Sequence, residues 1–247
     1  MLALGHYFDK ATMTSAEKLG FYATPPHQCS YLSENEAITL FADPDFPKNM
    51  RLYSALMNYG FRRSGAHLYI PKCENCSACI SIRIPVNDFT PSRIQKRILN
   101  KNSDLGLTEK PAEFNQRHYE LYKRYLASRH PGGGMDNPSP EAYMEFLTAK
   151  WSETIFFELT HNQQILAIAV TDVLDDSLSA VYTFYDPNFA NRSLGKFSIL
   201  FQILQAQILE RKWLYLGYWI DNCRKMQYKS EFKPQELFFD GAWHYRP

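Results

Sequence analysis

The fold is decided by residues 154–186, which read TIFFELTHNQQILAIAVTDVLDDSLSAVYTFYD. This segment contains three β-rich runs and two short polar joints, at residues 154–159, 165–173 and 179–185 and at residues 161–163 and 175–177. Joints of this length connect adjacent strands as hairpins. The segment therefore predicts a three-stranded antiparallel meander.

Working outward from the meander, the pattern becomes helical on both sides. A long apolar helix is predicted at residues 194–211, followed by a buried strand at 213–220. Before the meander, an aromatic stripe between residues 113 and 130 predicts one helix, and Ser139-Pro140-Glu141 begins another with a cap and a first-position proline. Helices, three antiparallel strands, a long helix and a further strand form an α+β order. This is the order of the acetyltransferase-like (GNAT) fold.

The N-terminal part is less regular. Short strands are expected at residues 36–41, 67–70 and 80–84, with helices at 47–59 and 92–101. We therefore predict two units. A smaller N-terminal α+β unit with a cysteine cluster would span residues 1–105, and the acetyltransferase-like domain would span residues 106–247.

Composition excludes several classes of protein. With 45% hydrophobic and 15% aromatic residues among 247, the chain is not disordered. Its net charge of +1 means that an anionic partner must be held by a local basic patch. No apolar run approaches the ~18 residues of a membrane helix, and residues 1–10 lack the features of a signal peptide. A cytoplasmic protein with no membrane partner is expected.

A cysteine cluster is the clearest local motif. Cys73, Cys76 and Cys79 follow one another at two C-x-x-C spacings, which lets one loop place three thiols around a soft cation or cluster. Of the two remaining cysteines, Cys29 lies in the same unit and is the better fourth ligand, whereas Cys223 is distant in sequence. Zinc and an iron–sulfur cluster both accept four thiolates. Free thiols packed as small hydrophobic groups are the alternative.

Basic residues suggest where an anion binds. Arg93, Lys96, Arg97 and Lys101 recur at steps of three and four, so a helix places them on one face while Ile94 and Ile98 turn inward. Such a face suits the phosphates of a nucleic acid, or it is simply solvated. The adjacent Arg62 and Arg63 could bind a carboxylate of a partner, or pair with acids of this chain.

The start of the long helix, Arg192-Ser193-Leu194-Gly195-Lys196, is a second candidate for phosphate binding, because backbone amides at a helix N-terminus attract anions. Acetyl-CoA enzymes carry [RQ]-x-x-G-x-[GA] at this position. Phe197 replaces the last small residue here and would keep a pyrophosphate from the backbone. Ordinary coenzyme A binding is therefore disfavoured.

Together these motifs resemble the bacterial aminoacyl-tRNA–protein transferases. The resemblance covers nearly the whole chain, in the segments 29–32, 60–65, 73–79, 91–97, 129–135, 182–187, 193–195 and 215–234. It implies transfer of an aminoacyl group, leucyl in the bacterial branch, from its tRNA ester to the N-terminal Asp or Glu of a protein, which marks that protein for degradation. No cofactor is required for such a transfer. The cysteine arrangement lacks the adjacent pairs of the eukaryotic type, so the resemblance does not choose a metal.

The implied reaction is attack of an α-amine on an ester carbonyl, in which positioning dominates. An α-amine is already roughly a tenth neutral at pH 7, so a strong base is not required. We assign Asp186 to proton removal, with the start of the Asp-Pro turn as its alternative role. Asp221 would hold an ammonium group. Tyr182 or Tyr185 would donate a hydrogen bond to the oxyanion. The acceptor carboxylate and the tRNA would be bound by basic residues: Arg62, Arg63, Lys225 and Lys229 for the former, and Arg93, Lys96, Arg97, Lys101, Arg192 and Lys196 for the latter.

Three alternatives remain at this stage. Arginyl transfer would use the same chemistry, and the residues do not choose between leucine and arginine. An acyl-CoA N-acyltransferase would share the C-terminal fold. A non-catalytic, metal-stabilised RNA-binding module would need the cysteines but neither Asp186 nor Asp221.

Overall fold

The computed structural model describes residues 18–129 and 137–247. The strands are β1 (Phe21–Ala23), β2 (His27–Gln28), β3 (Glu36–Ala37), β4 (Thr39–Ala42), β5 (Arg62–Ser64), β6 (His67–Pro71), β7 (Ile80–Pro85), β8 (Gly106–Pro111), β9 (Glu153–His161), β10 (Gln164–Val173), β11 (Ser177–Tyr185), β12 (Trp213–Trp219), β13 (Gln235–Phe239) and β14 (Ala242–Arg246). The α-helices are α1 (Met50–Asn58), α2 (Arg93–Lys101), α3 (Gln116–Arg129), α4 (Pro140–Leu147) and α5 (Leu194–Ile208). Two 3₁₀ turns lie at Pro187–Arg192 and Gln227–Glu231.

A mixed α/β architecture is built around one eight-stranded sheet, in the order β14-β13-β7-β12-β11-β10-β9-β8. Strands β11 and β12 are parallel, and every other neighbouring pair in this sheet is antiparallel. A four-stranded sheet, β1-β4-β6-β5, and a two-stranded sheet, β2-β3, belong to the N-terminal part.

The predicted meander is confirmed as β9, β10 and β11, paired antiparallel in sequence order. The β9–β10 turn is two residues long, and both Asn162 and Gln163 have positive φ, 48° and 65°. Two positive φ values are the requirement of a type I′ turn, whose twist matches that of the flanking strands. The short polar joint thus explains the tight hairpin.

The sheet opens between β11 and β12. Their hydrogen-bonded register covers three pairs, residues 177–179 with 213–215. Beyond these pairs β11 continues to Tyr185 and β12 to Trp219, and within the described chain no further register joins them. We call the space between residues 180–185 and 216–219 the wedge. Helix α5 connects the two strands and begins beside the end of β11, so the connection places a helix N-terminus at the wedge.

Both faces of the large sheet are covered, which explains why the residues of its central strand β10 are almost all buried. Helix α5 packs on one face together with α2. Helices α3 and α4 cover the other face through an aromatic cluster that includes Tyr122, Tyr143 and Phe184. A third cluster, around Tyr53 and Met57 of α1, joins this face to the four-stranded sheet. The large sheet is therefore packed between helices on both sides.

Two local expectations were wrong. Helix α1 begins at Met50, because the side chain of Asn49 caps it by accepting from the amide of Leu52, and Pro47 lies before the helix. Ile94 is 64% exposed instead of turned inward. The buried face of α2 is made by Gln95 and Ile98, since Gln95 completes a capping box and donates to the carbonyl of Glu231.

The division into residues 1–105 and 106–247 stays a prediction. Strand β7, from the first of these units, lies between β12 and β13 of the second, so the large sheet draws strands from both. Across the described ranges, no helix has the length and apolar character needed to span a membrane. The sequence expectation for residues 1–10 and the part of the segment 129–135 that follows residue 129 lie outside the described residues.

Candidate active site at the wedge

Tyr185 closes β11 and stands directly against the first turn of α5. A side-chain carbon at Gly195 would lie 3.6 Å from its ring. The hydroxyl of Tyr185 accepts a hydrogen bond from Nη2 of Arg129 at 2.7 Å, and the guanidinium also lies 5.6 Å from the ring centroid. Because this bond uses a lone pair, the O–H of Tyr185 is left to donate elsewhere. Such a donor suits an oxygen that gains negative charge.

Tyr182, the other tyrosine predicted to donate, lies in a different environment. Its ring packs edge-on against Tyr122 and Phe146, and its hydroxyl is buried with no hydrogen-bond partner among the described residues. Burial raises the pKa of Tyr182 strongly. Of the two, Tyr185 is the one that the fold brings to the start of α5.

Asp186 is 3% exposed and its carboxylate is already engaged. Oδ1 accepts from the amide of Asn188 at 3.0 Å, while Oδ2 lies 3.4 Å from Nε2 of Gln164 and 3.6 Å from Nη2 of Arg124. These contacts start the 3₁₀ turn and point the carboxylate toward α3 and β10, as the turn-forming alternative predicted. Asp221, just past β12, is exposed, and its carbonyl accepts from Gln227.

The two adjacent arginines of β5 have opposite surroundings. Arg63 forms a fully buried ion pair with Asp172, through Nε at 2.6 Å and Nη2 at 2.8 Å, and also donates to the carbonyls of Gly65 and Leu147. Asp172 accepts from Tyr53 as well, at 2.8 Å. These bonds occupy most of the guanidinium, so the structure gives Arg63 an internal partner instead of an acceptor site.

Arg62 is equally buried, but within residues 18–129 and 137–247 no acid pairs with it. Nη1 donates to the carbonyl of Phe61 at 2.6 Å, Nη2 lies 3.4 Å from the carbonyl of Gly217, and Nε has no partner among the described residues. The guanidinium lies 5.0 Å from the ring of Tyr215 and 5.6 Å from that of Tyr218. Burial lowers the pKa of Arg62.

Lys229 reaches the same place from the second 3₁₀ turn. Its Nζ donates to the carbonyl of Tyr218 at 2.6 Å. Gly217 lies close by, since a Cβ added at Gly217 would be 3.6 Å from this nitrogen. Burial first, and the positive charge of Arg62 second, lower the pKa of Lys229 to about 7. The structure therefore brings together Arg62 and Lys229 at the β12 side of the wedge, whereas Lys225 is exposed.

The predicted basic stripe is exposed on α2, whose four basic residues share its solvent side. It joins the start of α5, because Nζ of Lys101 donates to the carbonyl of Asn191 at 2.7 Å. Arg192 binds Asp104 with both terminal nitrogens at 2.8 Å, which lowers the pKa of Asp104 to about 2, and Lys196 pairs with Glu231. These are surface pairs that a phosphate can displace.

The cysteines form a separate group under β12. Cys29, Cys73, Cys76 and Cys79 line one cavity of about 30 Å³, with Ile220 on its wall. The amides of Leu32 and Ile38 point at the sulfurs of Cys29 and Cys73, at 3.4 and 3.5 Å. Burial and the neighbouring thiols raise the pKa of Cys79 to about 12. In the described ranges, no three His, Cys, Asp or Glu side chains are arranged to hold a metal ion.

Sequence reasoning missed the role of Arg129 as the partner of Tyr185. The available signal was a basic residue in the last turn of a helix, where it complements the helix dipole. It also treated Arg62 and Arg63 alike. Nothing local separates these two, because their partners come from β10 and β12.

The sequence of this chain matches two family profiles and several known proteins. The profile described as "Arginine-tRNA-protein transferase, N terminus" matches residues 27–97, and the one described as "Arginine-tRNA-protein transferase, C terminus" matches residues 117–239. The chain is 51% identical to "Aspartate/glutamate leucyltransferase" of Pseudomonas aeruginosa (strain LESB58) and 49% identical to that of Pseudomonas syringae pv. tomato (strain ATCC BAA-871 / DC3000). Both alignments span 231 residues, 94% of this chain and 98% of the relative.

Among solved structures, the chain resembles that of FemX, with a TM-score of 0.53 and 8% identity, over 84% of this chain and 71% of that one. Identity at this level indicates a shared fold only. It agrees with a mixed α/β architecture around a large sheet.

Proposed function

The chain belongs to the arginine-tRNA-protein transferase family, and from this premise we propose that it transfers a leucyl group from leucyl-tRNA to the N-terminal Asp or Glu of a protein. The product would carry a new peptide bond and a degradation signal. Relatives half identical over nearly the whole chain carry the leucyltransferase name, which favours leucine over arginine as the donor. A tRNA partner implies a cytoplasmic site of action.

The observation that carries this proposal is the pair of buried cations, Arg62 and Lys229, at the β12 side of the wedge. Among the described residues, neither has a carboxylate partner. An unpaired buried charge is costly, and proteins usually satisfy it with a counter-ion. The side-chain carboxylate of an N-terminal Asp or Glu is a counter-ion that would select acidic acceptors.

The donor would lie on the opposite side of the wedge. The tRNA acceptor arm would follow the α2 stripe to Arg192 and Lys196, held through phosphates. Its ester would then reach the start of α5, where Tyr185 donates to the carbonyl oxygen as the amine attacks. We retain an acetyltransferase-like assignment for residues 106–247, supported by the β11–α5–β12 crossover between parallel strands that separate.

The four thiols would serve a structural purpose. Thiolate donors suit zinc or an iron–sulfur cluster, and amides directed at two sulfurs are a usual surrounding for such ligands. We infer that a bound cation would tighten Cys29, Cys73, Cys76 and Cys79 around their cavity and fix the loop below β12. The transfer chemistry itself would not involve it.

A mixed assay tests donor and acceptor together. The protein is incubated with leucyl-tRNA, arginyl-tRNA and acetyl-CoA, and with peptides that differ only at the first residue, and the products are weighed. We expect leucyl addition to the Asp and Glu peptides alone. Arginyl addition, or acetylation of the peptides, would replace the proposal with one of its alternatives.

The role of Tyr185 is tested with a matched pair on one strand. Removal of one oxyanion donor lowers kcat about a hundredfold, and we expect this for Tyr185→Phe. Tyr182→Phe makes the same chemical change in the aromatic cluster. A larger loss of kcat for Tyr182→Phe than for Tyr185→Phe would exchange the two assignments.

A further inference from the structure

Arg62 and Lys229 form a pair of like charges in a buried place. The charged and titratable groups that act on Lys229 are Arg62 of β5 and Cys223, a buried thiol of the loop after β12. Those acting on Arg62 are the tyrosines Tyr53, Tyr69, Tyr215 and Tyr218. No described Asp or Glu forms an ion pair with either cation.

Arg62 and Lys229 reach the neighbouring carbonyls of Gly217 and Tyr218, and two buried positive charges in one place are unfavourable. The two groups differ in how they respond. A guanidinium does not give up its proton in a protein, whereas a buried lysine does so readily. Lys229 is therefore the group that becomes neutral. Its bond to the carbonyl of Tyr218 uses one N–H and fixes the amine, so the nitrogen lone pair remains available to accept a proton.

We propose that Lys229 is the base that takes the proton from the acceptor's α-ammonium group, while Arg62 alone binds the acceptor's side-chain carboxylate. This inference rests on the proposed function and divides the two cations between two tasks. It also moves proton removal away from Asp186, whose carboxylate is occupied by Asn188 and Arg124 on the other side of β11.

The α-ammonium passes one proton to Nζ of Lys229, and the neutral nitrogen attacks the ester carbonyl carbon. The new N–C bond forms as the C–O bond to the tRNA ribose breaks, and the electron pair leaves on the ribose oxygen. That oxygen takes the second proton of the amine, and Lys229 releases the first to solvent.

The arrangement couples selectivity to catalysis. Without a ligand, Arg62 repels a proton on Lys229. When a carboxylate neutralises Arg62, that repulsion falls and Lys229 can hold the proton it receives. An N-terminal Asn or Gln lacks this charge. We therefore expect acidic acceptors to be favoured in kcat as well as in KM.

The test compares Lys229→Met and Lys229→Arg with Lys233→Met, an exposed lysine of the same region, in leucyl transfer to an Asp peptide. We expect kcat to fall about a hundredfold in both Lys229 variants and not in Lys233→Met. Arginine keeps the positive charge but cannot accept a proton. Recovery of wild-type kcat by Lys229→Arg, or a change confined to KM in Lys229→Met, would overturn the proposal.

Two further measurements guard against misfolding. Leucyl-tRNA binding should be unchanged in both Lys229 variants, because the side chain of Lys229 is buried and bonds to Tyr218, whereas the basic side chains of the α2 stripe are exposed. In Lys229→Ala, small primary amines should restore kcat in proportion to their basicity, since the shortened side chain leaves room for them. Folded, tRNA-binding Lys229→Ala protein that no amine restores would contradict a proton-accepting role.

The pH dependence adds an independent readout. In the wild type, kcat/KM should rise with pH as Lys229 loses its proton near its pKa of about 7. In Lys229→Met only the rise from the acceptor's own amine, near pH ~8, should remain. If the wild type transfers nothing to any peptide, the proposed function fails. If the wild type transfers leucine and the rise of kcat/KM near pH 7 persists in Lys229→Met, only the present inference fails.

Discussion

Arg62 and Arg63 are neighbours on one strand, and both are buried, yet they lie in opposite electrostatic regions. Arg63 meets Asp172 in a fully buried pair that Tyr53 extends. Arg62 meets carbonyl groups, tyrosine rings and a second cation, Lys229. The first region is complete without any ligand, and the second has an excess of positive charge.

The difference shows that a buried charge can stabilise the fold or can be kept for binding a ligand. A charge whose donors are satisfied within the chain contributes to the fold and has nothing left to offer a substrate. A buried charge without a counter-ion reduces stability, and it is retained where binding supplies the missing anion. Variants of the two regions should therefore respond in opposite ways, in stability for one and in activity for the other.

The largest effect is expected from Arg63→Met. It leaves Asp172 buried and uncompensated, and breaking such a pair costs about 3–5 kcal/mol. Urea denaturation followed by circular dichroism measures the free energy of unfolding. Arg62→Met is the matched control on the same strand, and equal losses in the two variants would remove the distinction between the regions.

Arg62→Met should not lower the free energy of unfolding, because it removes a buried cation that has no acid partner among the described residues. It should lower kcat/KM for Asp and Glu peptides about a hundredfold, the size of a lost charge-assisted contact to a carboxylate. Leucyl-tRNA binding, measured separately, should stay the same. Wild-type kcat/KM in this variant would show that the acceptor carboxylate binds elsewhere.

Lys229→Met tests the same comparison through the pH dependence of the free energy of unfolding. The folded-state pKa of Lys229 is lowered to about 7 from 10.5, so the unfolded chain binds the extra proton between these values. The resulting penalty is complete below pH 7 and disappears as pH rises toward 10.5. We expect Lys229→Met to be more stable than the wild type at pH 7, by a margin that shrinks at higher pH. A difference in stability between the two proteins that does not change with pH would contradict the lowered pKa of Lys229.

The smallest effect concerns the α2 stripe. Lys96→Ala should weaken tRNA binding modestly and lower the slope of log K against log salt by about 0.7–0.9, the contribution of one phosphate contact. Lys150→Ala, an exposed lysine after α4 and on the opposite face of the large sheet, is the control. A slope unchanged by Lys96→Ala would remove the stripe from the tRNA surface.

Local patterns predicted the elements better than their arrangement. The meander and α5 follow from β-rich runs, polar turn residues and apolar helical spacing, which are properties of neighbouring residues. The sequence did not indicate that β7 would lie between β12 and β13, because strand order depends on contacts between distant segments. The edge strands β8 and β14 were also missed, since each is short and largely exposed.

The candidate site shows the same division. Residue types and motif order were enough to indicate an aminoacyl-tRNA–protein transferase, since those motifs lie in order along the chain. Which side chains act was a different question. Tyr182 and Tyr185 differ because the ring of Tyr182 is packed within the aromatic cluster, whereas Tyr185, at the end of the strand, lies against the start of α5 and accepts from Arg129.

By itself, then, the sequence determined the secondary structure of the central segment, the grouping of the cysteines and the family, because each depends on residues close together or on motifs in order. The three-dimensional packing was needed to show that Arg63 has a counter-ion while Arg62 has none in the described part of the chain, since Asp172 lies 109 residues from Arg63 along the sequence. Whether a buried charge has a counter-ion depends on which distant segments pack around it. Two adjacent arginines look the same in the sequence, so the sequence does not indicate which of them is paired.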